Sequence, residues 1–261
     1  MEENAQTAAA PLPAPVEAPR PRPYGFWATM GLGLACVGFW VFISAIVVFA
    51  FAATERAKNT GLNIDEYMRG IESNGLVLAF STLITAPPCV GLLALFAWLR
   101  GWRVRDYLGL HLPPPAQTGW AVLAMALLIL ASDLLTHALG RPIVPEFMTK
   151  AYQTAGWAPL LVAALLLGAP LFEEIFLRGF VFRGIAESRV GGTAAVIITA
   201  AIFGLLHVQY DAYGMLTIFI GGLVLGTVRL VTGSVTLTIL LHALMNLVAT
   251  IETAVVVEVL R

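Results

Sequence analysis

From Trp27 to Ala53 the chain runs without one charged side chain. At a helical rise of ~1.5 Å per residue such a run covers about 40 Å, more than the ~30 Å hydrocarbon layer of a bilayer. Lipid offers no hydrogen bonds, so every backbone N–H and C=O must be satisfied within the segment, and a run of this kind folds as a helix. The pattern recurs at about Leu76–Leu99, Trp120–Leu139, Ala158 onward, Thr193–Val208, Gly214–Val231 and Val235–Val257. The expected fold is therefore all-α: a polytopic integral membrane helical bundle of about seven transmembrane helices, or eight if one crossing is missed.

Composition supports that class. Hydrophobic residues make up 59% of the 261 and charged residues only 12%, where a soluble domain carries about 25% charge to cover its surface. The net charge of −1 and the lack of any Lys/Arg run exclude a nucleic-acid partner. Cys36 and Cys89 both fall inside apolar spans, which predicts packing roles and no disulfide. Residues 1–24, rich in Ala and Pro, read as a disordered N-terminal tail. Their acidic start is unlike a signal peptide, so the first span reads as retained.

Residues 25–157 read as N-terminal transmembrane helices and loops, and 158–257 as a second part whose spans carry ionisable residues. Within the first part, Thr54–Asn74 is charged and reads as an exposed loop, Pro87-Pro88 should kink the second span, and Pro113–Pro115 should stop a helix. Trp27, Trp98, Trp102, Trp120 and Trp157 lie near span ends, as an interfacial aromatic belt would place them. Arg20 and Arg22 precede the first span, Arg100–Arg105 follow the second, and Arg183 with Arg189 follow the fourth, so the basic clusters fall on one side. That predicts a cytoplasmic N-terminus, and the compact form of the chain suggests a bacterial cytoplasmic membrane as its location.

Against this apolar background Glu173, Glu174 and Arg178 stand out, because one charge in a span costs on the order of 2.5–3.5 kcal/mol. At ~100° per residue Glu174 and Arg178 share a helix face one turn apart and can neutralise each other, while Glu173 points about a quarter-turn away. Two later spans add His207, one turn after Phe203, and His242, one turn before Asn246. Asp133 and His137 form another i, i+4 pair near a helix end.

Glu173-Glu174-x-x-x-Arg178, Phe203-x-x-x-His207 and His242-x-x-x-Asn246 resemble, in order and spacing, the motifs of the CAAX prenyl protease / Abi family, whose bacterial members are often called CPBP intramembrane proteases. The resemblance covers roughly Ala158 to Val257. It implies a helical bundle around a polar cavity and an intramembrane endopeptidase, with a peptide or protein substrate entering from the membrane. It also implies that Glu173 activates water, that His207 assists, and that His242 and Asn246 hold the oxyanion. Glu174, Arg178 and Phe203 then support.

The residue types permit two routes. A carboxylate can act as base while neutral donors stabilise a tetrahedral oxyanion. Alternatively Glu173, His207 and His242 form the His₂Glu set of one zinc ion with an open position for water. Two readings from other classes stand beside the hydrolase: a non-catalytic membrane partner such as a bacteriocin immunity or scaffold protein, and a proton-coupled transporter using Asp133 and His137. One measure fits poorly. If the spans starting near Gly192 and Ser234 begin level, His207 lies about 22 Å deep and His242 only about 12 Å.

Overall fold

The computed structural model describes residues 21–61 and 63–259. The tail expected over residues 1–24 lies outside them as far as residue 20. Tyr24 is packed, its hydroxyl donating to the Phe96 carbonyl at 3.1 Å and its ring meeting Tyr107 and Phe180.

All regular structure among the described residues is helical. The first part comprises α1 (Phe26–Lys58), α2 (Ile64–Gly70), α3 (Gly75–Leu99), α4 (Val104–Leu108), α5 (Pro115–Ala138) and α6 (Glu146–Gln153). Then follow a continuous helical run α7 (Ala158–Ala186), α8 (Gly191–Leu205), α9 (Ala212–Thr232) and α10 (Val235–Glu258). Six of these, α1, α3, α5, α7, α9 and α10, are long and apolar enough to cross a membrane. The seventh expected span is the shorter α8. Its 15 residues reach about 22 Å, which falls short of a hydrocarbon layer.

One local expectation is modified. The charged Thr54–Asn74 stretch is partly helical, because α1 runs on to Lys58 and the Asn63 side chain caps α2 by accepting from the Asp65 and Glu66 N–H groups. Pro87 and Pro88 lie inside α3, and the helix continues through both to Leu99.

The core forms where α1, α3, α4 and the second half of α7 meet, around Leu93, Tyr107, Leu108, Phe176 and Phe180. Apolar side chains such as Leu34, Phe42, Leu127 and Leu134 remain exposed on the outer helices, the surface a bilayer would cover. Small residues set the closest approaches, as they do between helices in lipid. Ideal Cβ atoms at Gly222 and Gly226 would lie 3.0 Å from Ala200 Cα and 3.1 Å from Val196 Cγ1, which seats α9 on α8.

At Gly184 a Cβ would fall 1.8 Å from Thr29 Oγ1 and 2.5 Å from Thr29 Cβ, so α7 and α1 touch there only without a side chain. Gly184→Ala is expected to destabilise the fold by about 1–3 kcal/mol through overpacking. Unfolding in detergent measures it, and an unchanged midpoint would deny this contact.

Candidate active site

The carboxylates sit in the middle of α7, between two stretches where the helix widens to π geometry, Ala164–Gly168 and Ile175–Val181. Such widenings are concentrated at functional sites, and here their hydrogen-bond shifts have identifiable consequences. The Ala169 N–H donates to the Ala164 carbonyl, five residues back. The Leu165 carbonyl would by the same register need a donor at residue 170, which is a proline and has none. Asn246 supplies it, donating from Nδ2 at 2.7 Å. In the second stretch the Phe182 N–H reaches Leu177, and the Arg178 carbonyl accepts instead from Arg229 Nε at 2.9 Å.

Glu174 and Arg178 form the expected i, i+4 pair, Nη1 to Oε1 at 2.9 Å, with both side chains wholly buried. The second guanidinium nitrogen donates to the Gly222 carbonyl at 3.1 Å, and the Phe203 ring lies 4.8 Å from the guanidinium carbon. Glu174 Oε1 also accepts from His242 Nδ1 at 3.0 Å. The ionised carboxylate can only accept, so Nδ1 of this imidazole carries the proton. His242 Nε2 then faces Glu173, 3.9 Å from Oε2. Glu173 is a quarter exposed, yet its Oε2 is buried and has no hydrogen-bond partner among the described residues.

His207 stands just beyond the end of α8, where its Nδ1 donates to the Phe203 carbonyl at 2.7 Å and so leaves Nε2 with a free lone pair. The Phe203 ring meets both imidazoles edge-on, at 4.8 Å from His207 and 5.3 Å from His242. The depth discrepancy is thereby removed: equal starting levels for α8 and α10 are the assumption that fails. Glu173, Glu174, Arg178, Phe203, His207 and His242 share one neighbourhood. Asn246 lies a turn further along α10, with one amide N–H committed to Leu165.

Among the described residues no three His, Cys, Asp or Glu side chains are grouped to hold a metal ion. The Glu173, His207 and His242 set does not fit zinc in this arrangement. Asp133 interacts with Glu252 of α10, whereas His137 is exposed.

Motif spacing left three participants unnamed. The Leu165 carbonyl and Arg229 were legible only through Pro170 and the π register. The third is Tyr210, whose backbone N–H closes a turn onto the His207 carbonyl at 3.1 Å and whose ring lies 6.1 Å from the imidazole. Asp211 anchors this turn: it caps α9 by accepting from the Gly214 N–H and pairs with Arg141, whose guanidinium lies 4.6 Å from the Tyr213 ring. The Gly214 N–H and then Arg141 hold the Asp211 carboxyl below the usual carboxylate range.

Asn246→Ala tests the π register independently of activity. It orphans a partly buried carbonyl and is expected to cost about 1 kcal/mol. Unfolding in detergent reads the loss, and a change under about 0.5 kcal/mol would mean the Leu165 carbonyl finds another donor.

An apolar bundle with six helices long enough to cross a membrane defines an integral membrane protein, and within it Glu173, Glu174, His207 and His242 lie close together. Residues 155–248 match the family model for type II CAAX prenyl endopeptidase Rce1-like proteins, which establishes the likeness drawn from the three motifs over the stretch that carries them. An uncharacterized 24.3 kDa protein of Escherichia coli is 32% identical over 128 residues, covering 47% of this chain. The matched stretch spans 58% of that relative's own length. No solved structure matches the chain.

Proposed function

We propose that the protein is an intramembrane endopeptidase that hydrolyses a peptide bond with a water molecule activated by Glu173. The observation that carries this reading is Glu173 Oε2: buried, unpartnered and 3.9 Å from an imidazole whose other nitrogen is tied to the Glu174–Arg178 pair. A carboxylate oxygen lacking a donor is a base waiting for one, and water supplies it.

In the proposed reaction Glu173 takes one proton from water while the water oxygen bonds to the peptide carbonyl carbon. The second water O–H donates to the free lone pair on His207 Nε2, which orients the attack. The carbonyl π pair moves to oxygen, giving a tetrahedral oxyanion. When that pair returns, the C–N bond breaks, and the proton held by Glu173 passes to the departing nitrogen. A carboxylic acid and an amine result, and the glutamate is ready again.

Glu174 and Arg178 act through position. Their pairing cancels two buried charges and fixes the His242 ring by its Nδ1–H. The second N–H of Asn246, and His242 Nε2 when that ring is protonated, face the developing oxyanion. No step is routed through a metal.

The substrate class is a peptide or protein segment reaching the site from the bilayer. Removal of a prenylated C-terminal tripeptide is one form such activity takes in the family implied by the motifs. Arg100, Arg103, Arg105, Arg183 and Arg189 support a cytoplasmic end of the bundle and, with it, a cytoplasmic N-terminus. Peptide cleavage by the purified protein, compared between wild type and Glu173→Gln, tests the mechanism.

A further inference from the structure

The hydrogen-bond donors around Glu173 are nearly all committed. His207 Nδ1–H goes to the Phe203 carbonyl, and His242 Nδ1–H to Glu174. In their neutral forms both imidazoles therefore turn lone pairs, not protons, towards the site. Arg178 donates to Glu174 and to the Gly222 carbonyl, and Asn246 gives one N–H to Leu165. Hydrolysis needs a donor aimed at the developing oxyanion; of these side chains Asn246 keeps one amide hydrogen for the task, while Arg178 Nε, also without a partner among the described residues, is wholly buried beside Glu174.

Tyr210 carries a further donor, and the fold holds it in place. The His207–Tyr210 turn folds its ring back towards the imidazole, with centroids 6.1 Å apart and planes inclined by 36°. From the other side Phe147 of α6 meets the phenol ring edge-on at 5.5 Å. Phe147 comes from outside the three motifs, so α6 presses this ring into the neighbourhood of His207. Burial, followed by the negative charge of Glu173, raises the phenol pKa above its ordinary value, which keeps the proton on oxygen. Among the described residues no hydrogen bond claims that O–H.

We propose that the Tyr210 hydroxyl donates a hydrogen bond to the oxyanion of the tetrahedral intermediate, complementing the amide of Asn246. This inference rests on the hydrolase reading and adds to it a residue that none of the motifs contains. No proton is transferred: the phenol strengthens a hydrogen bond as charge gathers on the carbonyl oxygen and relaxes when the C–N bond breaks.

The test compares purified full-length wild type, Tyr210→Phe and Glu173→Gln in detergent, against a library of internally quenched fluorogenic peptides. Tyr210→Phe removes only the hydroxyl and keeps the ring contacts to Phe147 and His207, so its melting temperature should match wild type. Removing one oxyanion donor is expected to lower kcat by about 10²–10³-fold. KM should stay within about twofold, since the donor is used chiefly in the transition state. A peptide aldehyde, which mimics the tetrahedral state when hydrated, should bind more weakly to Tyr210→Phe.

If Tyr210→Phe keeps kcat within about twofold while Glu173→Gln is inactive, the Tyr210 assignment is overturned and the hydrolase reading stands. A melting temperature that falls with activity would make Tyr210 a packing residue and also overturn it. Full cleavage by Glu173→Gln, or a wild type that cleaves no peptide, defeats the hydrolase reading and this inference with it.

Discussion

Glu173→Gln is expected to lower peptide cleavage by about 10²–10⁴-fold, the range that a positioned general base contributes, with little change in the thermal midpoint. The amide keeps the shape of the side chain and removes its capacity to take a proton from water. Stability should hold because Glu173 Oε2 makes no hydrogen bond among the described residues, so none of them loses a partner. A kcat loss with KM preserved would locate the defect in the chemical step. Assayed with a chelator, the wild type should keep its activity. Inactivation by chelator that zinc reverses would sink the glutamate-only route, as would full activity of the glutamine variant.

Arg178→Met is expected to be the most destabilising single substitution in the bundle, by about 3–5 kcal/mol. The guanidinium and the Glu174 carboxylate are both wholly buried, and removing one partner leaves the other charge without compensation. The Gly222 carbonyl loses its donor in the same step. The double variant Glu174→Leu with Arg178→Met should recover part of the loss, because two apolar side chains remove both desolvation penalties. Unfolding of the three proteins in one detergent forms the cycle. A single-variant loss below about 1 kcal/mol would show that the pair is hydrated in solution, contrary to its burial here.

The crossings and the Glu174–Arg178 pair were legible in the sequence. Both depend on neighbours in the chain: apolar transfer energy adds up along one segment, and i, i+4 contact follows from the pitch of one helix. The short α8 was legible only in part, since the apolar run from Thr193 to Val208 does not announce that its helix ends at Leu205. Asn246 shows the limit of spacing. Its motif aims it at an oxyanion, yet in the fold one amide hydrogen goes to a carbonyl that Pro170 and a π turn have left without a backbone donor.

By itself the amino-acid order determined that this protein is a helical membrane bundle with charges buried in its late crossings. The three-dimensional packing decided which charge is sealed and which is left reactive. Glu173 and Glu174 are identical in type and adjacent in sequence; the pitch of α7 pairs Glu174 with Arg178, and the rotation and level of α10 add the His242 bond to Glu174 while leaving Glu173 Oε2 unsatisfied. The physical reason is range: helix periodicity acts over a turn, whereas the relative level of helices some 70 residues apart is set by glycine seams and buried hydrogen bonds that exist only once the bundle has closed.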